Sequence, residues 1–528
     1  MTVTAVSPEI KAPNQQASPR QYLSYLIFIL CVSFYLLPLM RVLRQGTDEG
    51  LLIDGAVRVF HGQVFPRDFF EVVGPGTFYW LAIFFKLFGV TFLATRICLF
   101  VSSLGTTLLL YFLTRRVCRT YQSLPSVLVL GTYFGALWPT ISHHVDSNFF
   151  ALLTVACMVL WQDRRKNSLL IVGGVLAGAT TCFLQPKGLL LLVALLLWLW
   201  IQRQRRYASI SALYPVMGGY CGVIGIVMAY FWSQGALWDL IYLNFLWPFQ
   251  HYGAVNVVPY ARGIVFTYWN CWATVRGALH WPTAMAAVLI IPFLFVAALP
   301  ALLLLLGVRH KWNTVSPEIA LYSLCGAALW LSEIHRKDIF HLVFGSPLLI
   351  ILCIHLLVER REKIADFTLQ ILAISAACLA GFNFFLVLTA HPVITRVGSV
   401  AVFKTDPVLA LLEKKVPPGE ETFVYPYAPM YYFLSATTNP TRYSLLMYNY
   451  NTATEFRETV KLLERHQVRY VVWDTGYYAS TLKTFFPSAK PPRPDELIME
   501  PYLESHYSLV KAEGGIRVME RKNRAPVD

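Results

Sequence analysis

Charge is the scarcest commodity in this chain. Of 528 residues only 14% are charged and 30 are acidic, while 56% are hydrophobic. A soluble chain of this length could not hide so much apolar surface, so a purely soluble protein is excluded. Cysteine is confined: all ten lie between Cys31 and Cys378, nearly all in apolar segments, and none falls in 392–528. No CxxC pair occurs. The carboxyl-terminal region therefore carries no disulfide framework, and nothing in the cysteine spacing announces zinc. A cleavable signal is also missing. The apolar run 22–40 follows a polar tail and ends in "LLPLMR" without a small-residue cleavage site, the pattern of a signal anchor. Internal repeats are absent, and compositional bias is limited to a proline-rich loop at 487–494.

What is present is a series of apolar runs, several of roughly 20 residues, enough to cross about 30 Å of hydrocarbon. Spans are expected near 22–41, 92–112, 125–142, 145–162, 168–184, 188–201, 211–232, 283–307, 317–333, 342–358 and 367–389. The segment 168–201 must hold two short spans broken around Gln185-Pro186-Lys187. Such a break is tolerable only where the backbone lines a polar cavity. The net charge of +14 does not indicate nucleic acid, because the basic residues cluster in short runs (115–119, 164–166, 203–206, 309–311, 360–363) in every second loop. Lys11 and Arg20 share that side. The amino terminus is thus expected in the cytoplasm and the carboxyl-terminal region outside. On the outer side emerge the acidic stretch 46–76, "SHHVDS" (142–147), "QPK" (185–187), an aromatic loop at 233–282 and "EIHRKDIFH" (333–341).

The fold expected is a polytopic α-helical membrane protein of about eleven spans with a C-terminal soluble α/β domain. Residues 1–391 form the membrane part, with interfacial helices in the first outer loop (44–91). Residues 392–528 form the extracytoplasmic domain. There "ETFVYPY" (421–427) reads as a strand and "TATEFRETVKLLERHQ" (452–467) as an amphipathic helix capped by Thr452 or Thr454. "VRYVVWDT" (468–475) reads as a buried strand, and "YSLVKAEGGIRVMERK" (507–522) as a hairpin around Gly514-Gly515. The stretch "YPYAPMYYFLS" (425–435) suits either a glycan grip or a buried core.

Chemistry-bearing residues begin in "GTDEGLLIDGAVRVFHGQVFPRDFFEVVGPG" (46–76), which holds Asp48, Glu49, Asp54, Asp68 and Glu71. Acids beyond a span end are usually solvation. Here they sit at the membrane boundary and are followed by an amphipathic turn pattern and an aromatic run, "GTFYWLAIFFKLFG" (76–89). An acid pair after the first span, then Gly62, Asp68, Phe69, Pro75, Tyr79, Trp80, Phe88, Gly89 and Arg96, resembles the GT-C membrane glycosyltransferases. Within them it is similar to the protein O-mannosyltransferases and the lipid A aminoarabinose transferase. Where those relatives often have a Pro-Pro pair preceded by Lys, this chain has Val73-Gly74-Pro75-Gly76, so that phosphate-binding Lys is absent.

The resemblance implies an inverting hexosyl or pentosyl transfer from a polyprenyl-phosphate donor to an acceptor hydroxyl on a lipid, protein or polysaccharide. It casts Asp48 as general base, with Glu49 orienting sugar or acceptor. Asp146 is the matching second acid of an outer loop, fixing the base, holding the acceptor or binding a divalent cation; helix capping is its structural alternative. No cofactor or metal is required. Phosphate needs positive charge. Arg336 and Lys337 at the outer end of one span, with His341 opening the next, are candidates for it, set against pairing with lipid headgroups or Asp338. Lys187 is a second candidate, set against snorkelling to the interface. Asp68, His143 and His144 are supporting candidates; adjacent histidines alone are a weak metal signal. Trp238, Tyr242, Trp247, His251, Tyr252, Tyr260, Tyr268 and Trp269 suit sugar stacking or an interfacial belt. The location implied is the cell (inner or plasma) membrane. The competing functions are a lipid or glycolipid transporter or flippase, and a non-catalytic glycan-binding membrane protein. Against the first, intramembrane charge is nearly absent from the inner halves of the spans and inverted repeats are not visible.

Overall fold

The structure is a computed structural model describing residues 19–44, 46–118, 121–137, 139–252, 256–263, 265, 283–308, 315–360, 362–448, 450–482, 486 and 489–522. Lys11, the basic run 309–311, and Tyr268 and Trp269 lie outside these residues.

Among the described residues, nine α-helices run between Pro19 and Ser233: α1 (Pro19–Leu39), α2 (Asp48–Phe60), α3 (Gly76–Phe88), α4 (Phe92–Val117), α5 (Leu124–Leu137), α6 (His143–Arg164), α7 (Asn167–Phe183), α8 (Gln185–Gln204) and α9 (Leu213–Ser233). Further helices follow at Thr283–Val308, Pro317–Glu333, Ile339–Gly345, Pro347–Arg360 and Lys363–Leu388. Each expected span overlaps a helix. Among the described residues, however, six helices are long and apolar enough to cross a membrane. A seventh arises if Ile339–Gly345 and Pro347–Arg360, bent by 72° at the intervening break, act as one. The shortfall is one of length: α7 and Pro317–Glu333 have 17 residues each, or about 25 Å at 1.5 Å per residue. The segment 168–201 divides as expected. Leu184 is extended between α7 and α8 (φ −145°, ψ 103°), and Pro186 starts the second helix, where its missing N–H costs nothing.

Beyond Leu388 the chain enters a short antiparallel pair, β1 (His391–Thr395) and β2 (Gly398–Val402). A four-stranded sheet follows, built from β3 (Thr422–Tyr425), β4 (Tyr470–Asp474), β5 (Tyr507–Glu513) and β6 (Ile516–Arg521), ordered β3-β4-β6-β5. Only the β3–β4 pair is parallel. The helix Ala453–Arg465 opens on a capping box in which Thr452 and Glu455 satisfy each other's backbone N–H groups. Gly514 and Gly515 both have positive φ at the β5–β6 turn, where a side chain would be strained.

Helix α2 is buried along most of its length. It is covered on both sides, and its buried residues include Glu49, Leu52, Ile53, Asp54, Ala56 and Arg58. Two glycines permit this closeness. A Cβ on Gly55 would meet the Phe78 ring at 2.6 Å, and one on Gly50 would meet the backbone nitrogen of Met430, in the carboxyl-terminal region, at 2.4 Å. The backbones are also joined directly. Met430 N donates to Gly46 O (3.3 Å), Phe70 N to Arg442 O (2.8 Å), Leu43 N to Ala401 O (2.9 Å) and Ala401 N to Arg41 O (2.9 Å). A second apolar core, containing Leu51, Phe70 and Trp247 beside Tyr425, Tyr443 and Phe456, spans the first loop and the sheet region.

Gly50→Ala is expected to cost about 1–3 kcal/mol, because backbone on the far side cannot yield as a side chain can. Gly218→Ala, on α9 with open space around its Cβ position, is expected to be neutral or slightly stabilising. Thermal unfolding of the two variants in the same detergent checks the contrast.

Candidate functional site

Where α2, the α5–α6 loop, the start of α8, the turn after Pro317–Glu333 and the carboxyl-terminal region meet, they enclose a hollow of about 1070 Å³. Its lining is mixed. Apolar residues include Leu189, Leu190, Leu289, Phe293, Leu331 and Phe382. With them stand acids (Asp48, Glu71, Asp338), arginines (Arg44, Arg336) and four histidines (His143, His144, His335, His341).

Asp48 is the first residue of α2, where the helix dipole favours an anion. Its side chain accepts a hydrogen bond from the Tyr427 hydroxyl. Burial, and then the Asp48 carboxylate beside it, push the Tyr427 phenol well above its ordinary range, so the phenol stays a donor. Glu49, one residue on, has a different fate. It is 0% exposed, pairs with Arg96 Nη1 at 2.8 Å and accepts from Ile141 N at 2.9 Å. It does not line the hollow, and its partner Arg96 also packs its guanidinium over the Phe92 ring.

The cations divide similarly. Arg336 lines the hollow, held by Asp338 Oδ2 (3.0 Å) and Asn256 Oδ1 (3.1 Å), and His341 Nδ1 contacts Asp338 Oδ1 at 2.8 Å. The Asp338 pairing weighed from sequence thus exists, and it orients Arg336 and His341 on the wall. Lys337 is absent from the lining. Lys187 lies behind the wall: its ammonium is fully buried and bonded to Glu333 Oε1 (2.8 Å) and Asn148 Oδ1 (2.7 Å). A cation buried against a carboxylate has no charge to spare for a ligand. His144 shares Glu333 at 3.1 Å. The histidine rings form a chain, with centroids of His143–His144 at 4.1 Å, His144–His341 at 5.1 Å and His335–His341 at 5.9 Å.

Asp146 does not cap α6, which Ser142 caps by accepting from His144 N (3.2 Å). Its carboxylate instead accepts from Thr77 (3.1 Å) and Ser102 (2.8 Å) inside the bundle, away from the lining. Asp68 pairs with its neighbour Arg67 and accepts from Val64 N, again outside the hollow. Among the described residues no three His, Cys, Asp or Glu side chains converge as a metal-ligand set.

Sequence reasoning missed Arg44 and Tyr427 and named Glu71 without giving it a role. Arg44 carried a readable signal, a cation just beyond the first apolar run and four residues before Asp48. Tyr427 lay in a Tyr-rich stretch that fits a core equally well, and most of that stretch is core: Met430, Tyr431, Tyr432, Phe433 and Leu434 are buried.

Comparison with known proteins accords with this architecture. Residues 72–232 match the family described as dolichyl-phosphate-mannose-protein mannosyltransferase. Among solved structures, the archaeal oligosaccharyltransferase AglB from Archaeoglobus fulgidus, in complex with an inhibitory peptide and a dolichol-phosphate, aligns at a TM-score of 0.50 and 12% identity. That alignment covers 97% of this chain and 76% of the other. ArnT from Cupriavidus metallidurans in the apo state aligns at 0.44 and 14% identity, over 94% and 98% respectively. No curated protein matches the chain. The chain is similar to the GT-C membrane glycosyltransferases, as the residues between Asp48 and Arg96 imply.

Arg96 lies inside the matched segment, and its pairing with Glu49 generates a test. Arg96→Met is expected to destabilise by about 3–5 kcal/mol by stranding a buried carboxylate, and the Glu49→Gln/Arg96→Met pair to recover most of that loss. Thermal unfolding of the two variants measures it. A double variant no more stable than Arg96→Met would show that the pair is not the reason for the loss.

Proposed function

We propose that the protein transfers a sugar from a polyprenyl-phosphate donor to an acceptor hydroxyl, with inversion, on the extracytoplasmic side of the cell membrane. The observation that carries this reading is that one hollow is lined by apolar side chains, by Arg336 with a cluster of histidines, and by a carboxylate held at a helix start. A polyprenyl-phosphate sugar has the same three parts: a hydrocarbon chain, an anion and a hydroxylated ring. The family match within 72–232 and the AglB-like fold support it, and that archaeal enzyme was solved with a dolichol-phosphate, an amphiphile of this class.

In this reading Asp48 accepts the proton of the acceptor hydroxyl as its oxygen bonds to the anomeric carbon. The anomeric C–O bond to phosphate breaks, and its electron pair leaves with the phosphate oxygen. Because phosphate departs as a stable anion, no acid is needed to protonate it, in contrast to glycoside hydrolysis. Arg336, oriented by Asp338, offers a planar fork to that anion, with His143, His144 and His341 beside it. Tyr427 holds the Asp48 carboxylate in place. One displacement on the face opposite the phosphate inverts the anomeric centre. The domain division at 391/392, a cytoplasmic amino terminus and an acceptor delivered beside residues 392–528 complete the proposal.

Asp48→Asn is expected to lower kcat by about 10²–10⁴-fold with donor binding retained. Arg336→Glu should weaken polyprenyl-phosphate binding by at least about 10-fold, and Asp68→Asn should leave both near wild type. Transfer from radiolabelled polyprenyl-phosphate sugars and equilibrium binding of the carrier lipid measure the two effects. A transporter or glycan-binding protein would tolerate Asp48→Asn, and unchanged lipid affinity in Arg336→Glu would remove Arg336 from the phosphate site.

A further inference from the structure

One buried group in the hollow has no part in the scheme above. Glu71 is 3% exposed, yet it lines the same cavity as Asp48. Its backbone is fixed from outside, because the neighbouring Phe70 N–H donates to Arg442 O and Phe70 bridges Tyr443. The carboxyl is therefore placed by the joint between the first loop and the sheet region. Its Oε1 finds no hydrogen-bond partner among the described residues.

A buried, half-satisfied carboxyl is costly unless something completes it. Its charged and titratable surroundings are Asp54, Asp48, Arg58 and the Tyr427 hydroxyl. Arg58 is committed elsewhere: Nε pairs with Asp54 Oδ2 at 3.0 Å, and both terminal nitrogens donate to Thr441 O at 3.1 Å. Burial first, and then the Asp54 carboxylate, raise the Glu71 carboxyl well above its usual range, against the opposing pull of Arg58. A proton is retained there more readily than on an ordinary glutamate. The protonated carboxyl both donates and accepts. That is the complement of a sugar hydroxyl, and the opposite of what an anionic phosphate would choose.

We propose that Glu71 is a substrate-binding, specificity-determining residue that exchanges hydrogen bonds with a hydroxyl of the transferred sugar beside Asp48. This rests on reading the hollow as a glycosyl-transfer site. It divides the two acids by role: Asp48, held by Tyr427, takes the proton, and Glu71 reads the ring. A site built to hydrogen-bond a substrate hydroxyl discriminates strongly against a sugar lacking it, because its own buried group is then left unpaired.

The test compares wild type, Glu71→Ala and Glu71→Gln on polyprenyl-phosphate sugars and on deoxy counterparts that each lack one hydroxyl. Glu71→Ala is expected to lower kcat/KM about 30-fold on the full sugar. Glu71→Gln, whose amide donates and accepts, should stay within about 5-fold. One deoxy sugar should lose as much as Glu71→Ala does in wild type and lose nothing more in Glu71→Ala, the non-additivity of a direct contact. Because the acting form is protonated, wild-type kcat/KM should fall as pH rises through the raised carboxyl pKa, and Glu71→Gln should lack that limb. Wild-type kcat/KM in Glu71→Ala, or additive losses with every deoxy sugar, would overturn the role of Glu71 while leaving the transfer reading intact. Should Glu71→Ala fail to fold, a Glu71→Gln variant that keeps the alkaline limb would equally overturn it. A wild-type protein that transfers no sugar from any polyprenyl phosphate would overturn the reading of the hollow itself.

Discussion

Helix α2 is a short helix with buried charge on a chain that has little charge to spend, and much of the architecture follows from satisfying it. Glu49 must meet Arg96 from α4. Asp54 must meet Arg58 and the Ser444 hydroxyl, and Arg58 must reach the carbonyl of Thr441. An unpaired charge at any of these positions would be expensive. The helix is consequently tied to the bundle on one side and to the sheet region on the other. Asp48, at its exposed start, is carried into place by those bonds, and the Tyr427 hydroxyl then holds its carboxylate.

The same accounting explains why the hollow is charged where it is. Lys187, Glu333, His144 and Asn148 close a network inside the wall, so that the wall is polar but spent. Arg336 and His341 share Asp338 and still face the cavity. A buried pair stiffens a wall, whereas a pair at the rim aims a cation. Sequence alone could not separate the two cases, because "QPK" and "EIHRKDIFH" each offer a cation near a helix break. What decides between them is Glu333, which stands at the end of one helix and faces Lys187 on another.

The coarse architecture was legible because it rests on local physics. Apolar runs produce helices, Thr452 with Glu455 starts the helix Ala453–Arg465, and Gly514-Gly515 turn the β5–β6 hairpin. The site was legible only in part. Asp48, His143, His144, Arg336 and His341 meet in one hollow from distant stretches of chain. Glu49, Asp68, Asp146 and Lys187 share their residue types and neighbourhoods but are consumed by partners 1 to 146 positions away. Asp68 has its partner next door, but for Glu49, Asp146 and Lys187 the partner is distant and leaves no mark on a local pattern. Tyr427 was hidden for the converse reason: a tyrosine in a core-like stretch gives no hint that its hydroxyl alone leaves the core.

Tyr427 also changes the meaning of the carboxyl-terminal region. A detachable binding module would meet the membrane part through a polar, wet interface. Here Leu51, Phe70 and Trp247 join the sheet-side aromatics in one apolar core, Gly50 admits Met430 at backbone contact, and the hollow is lined by Tyr427, Leu445, Met447 and Tyr450 opposite Leu184 and Gln185. The two parts therefore build one cavity rather than two surfaces. Tyr427 belongs to the shared aromatic core, so the packing that joins the two parts also sets its hydroxyl beside Asp48.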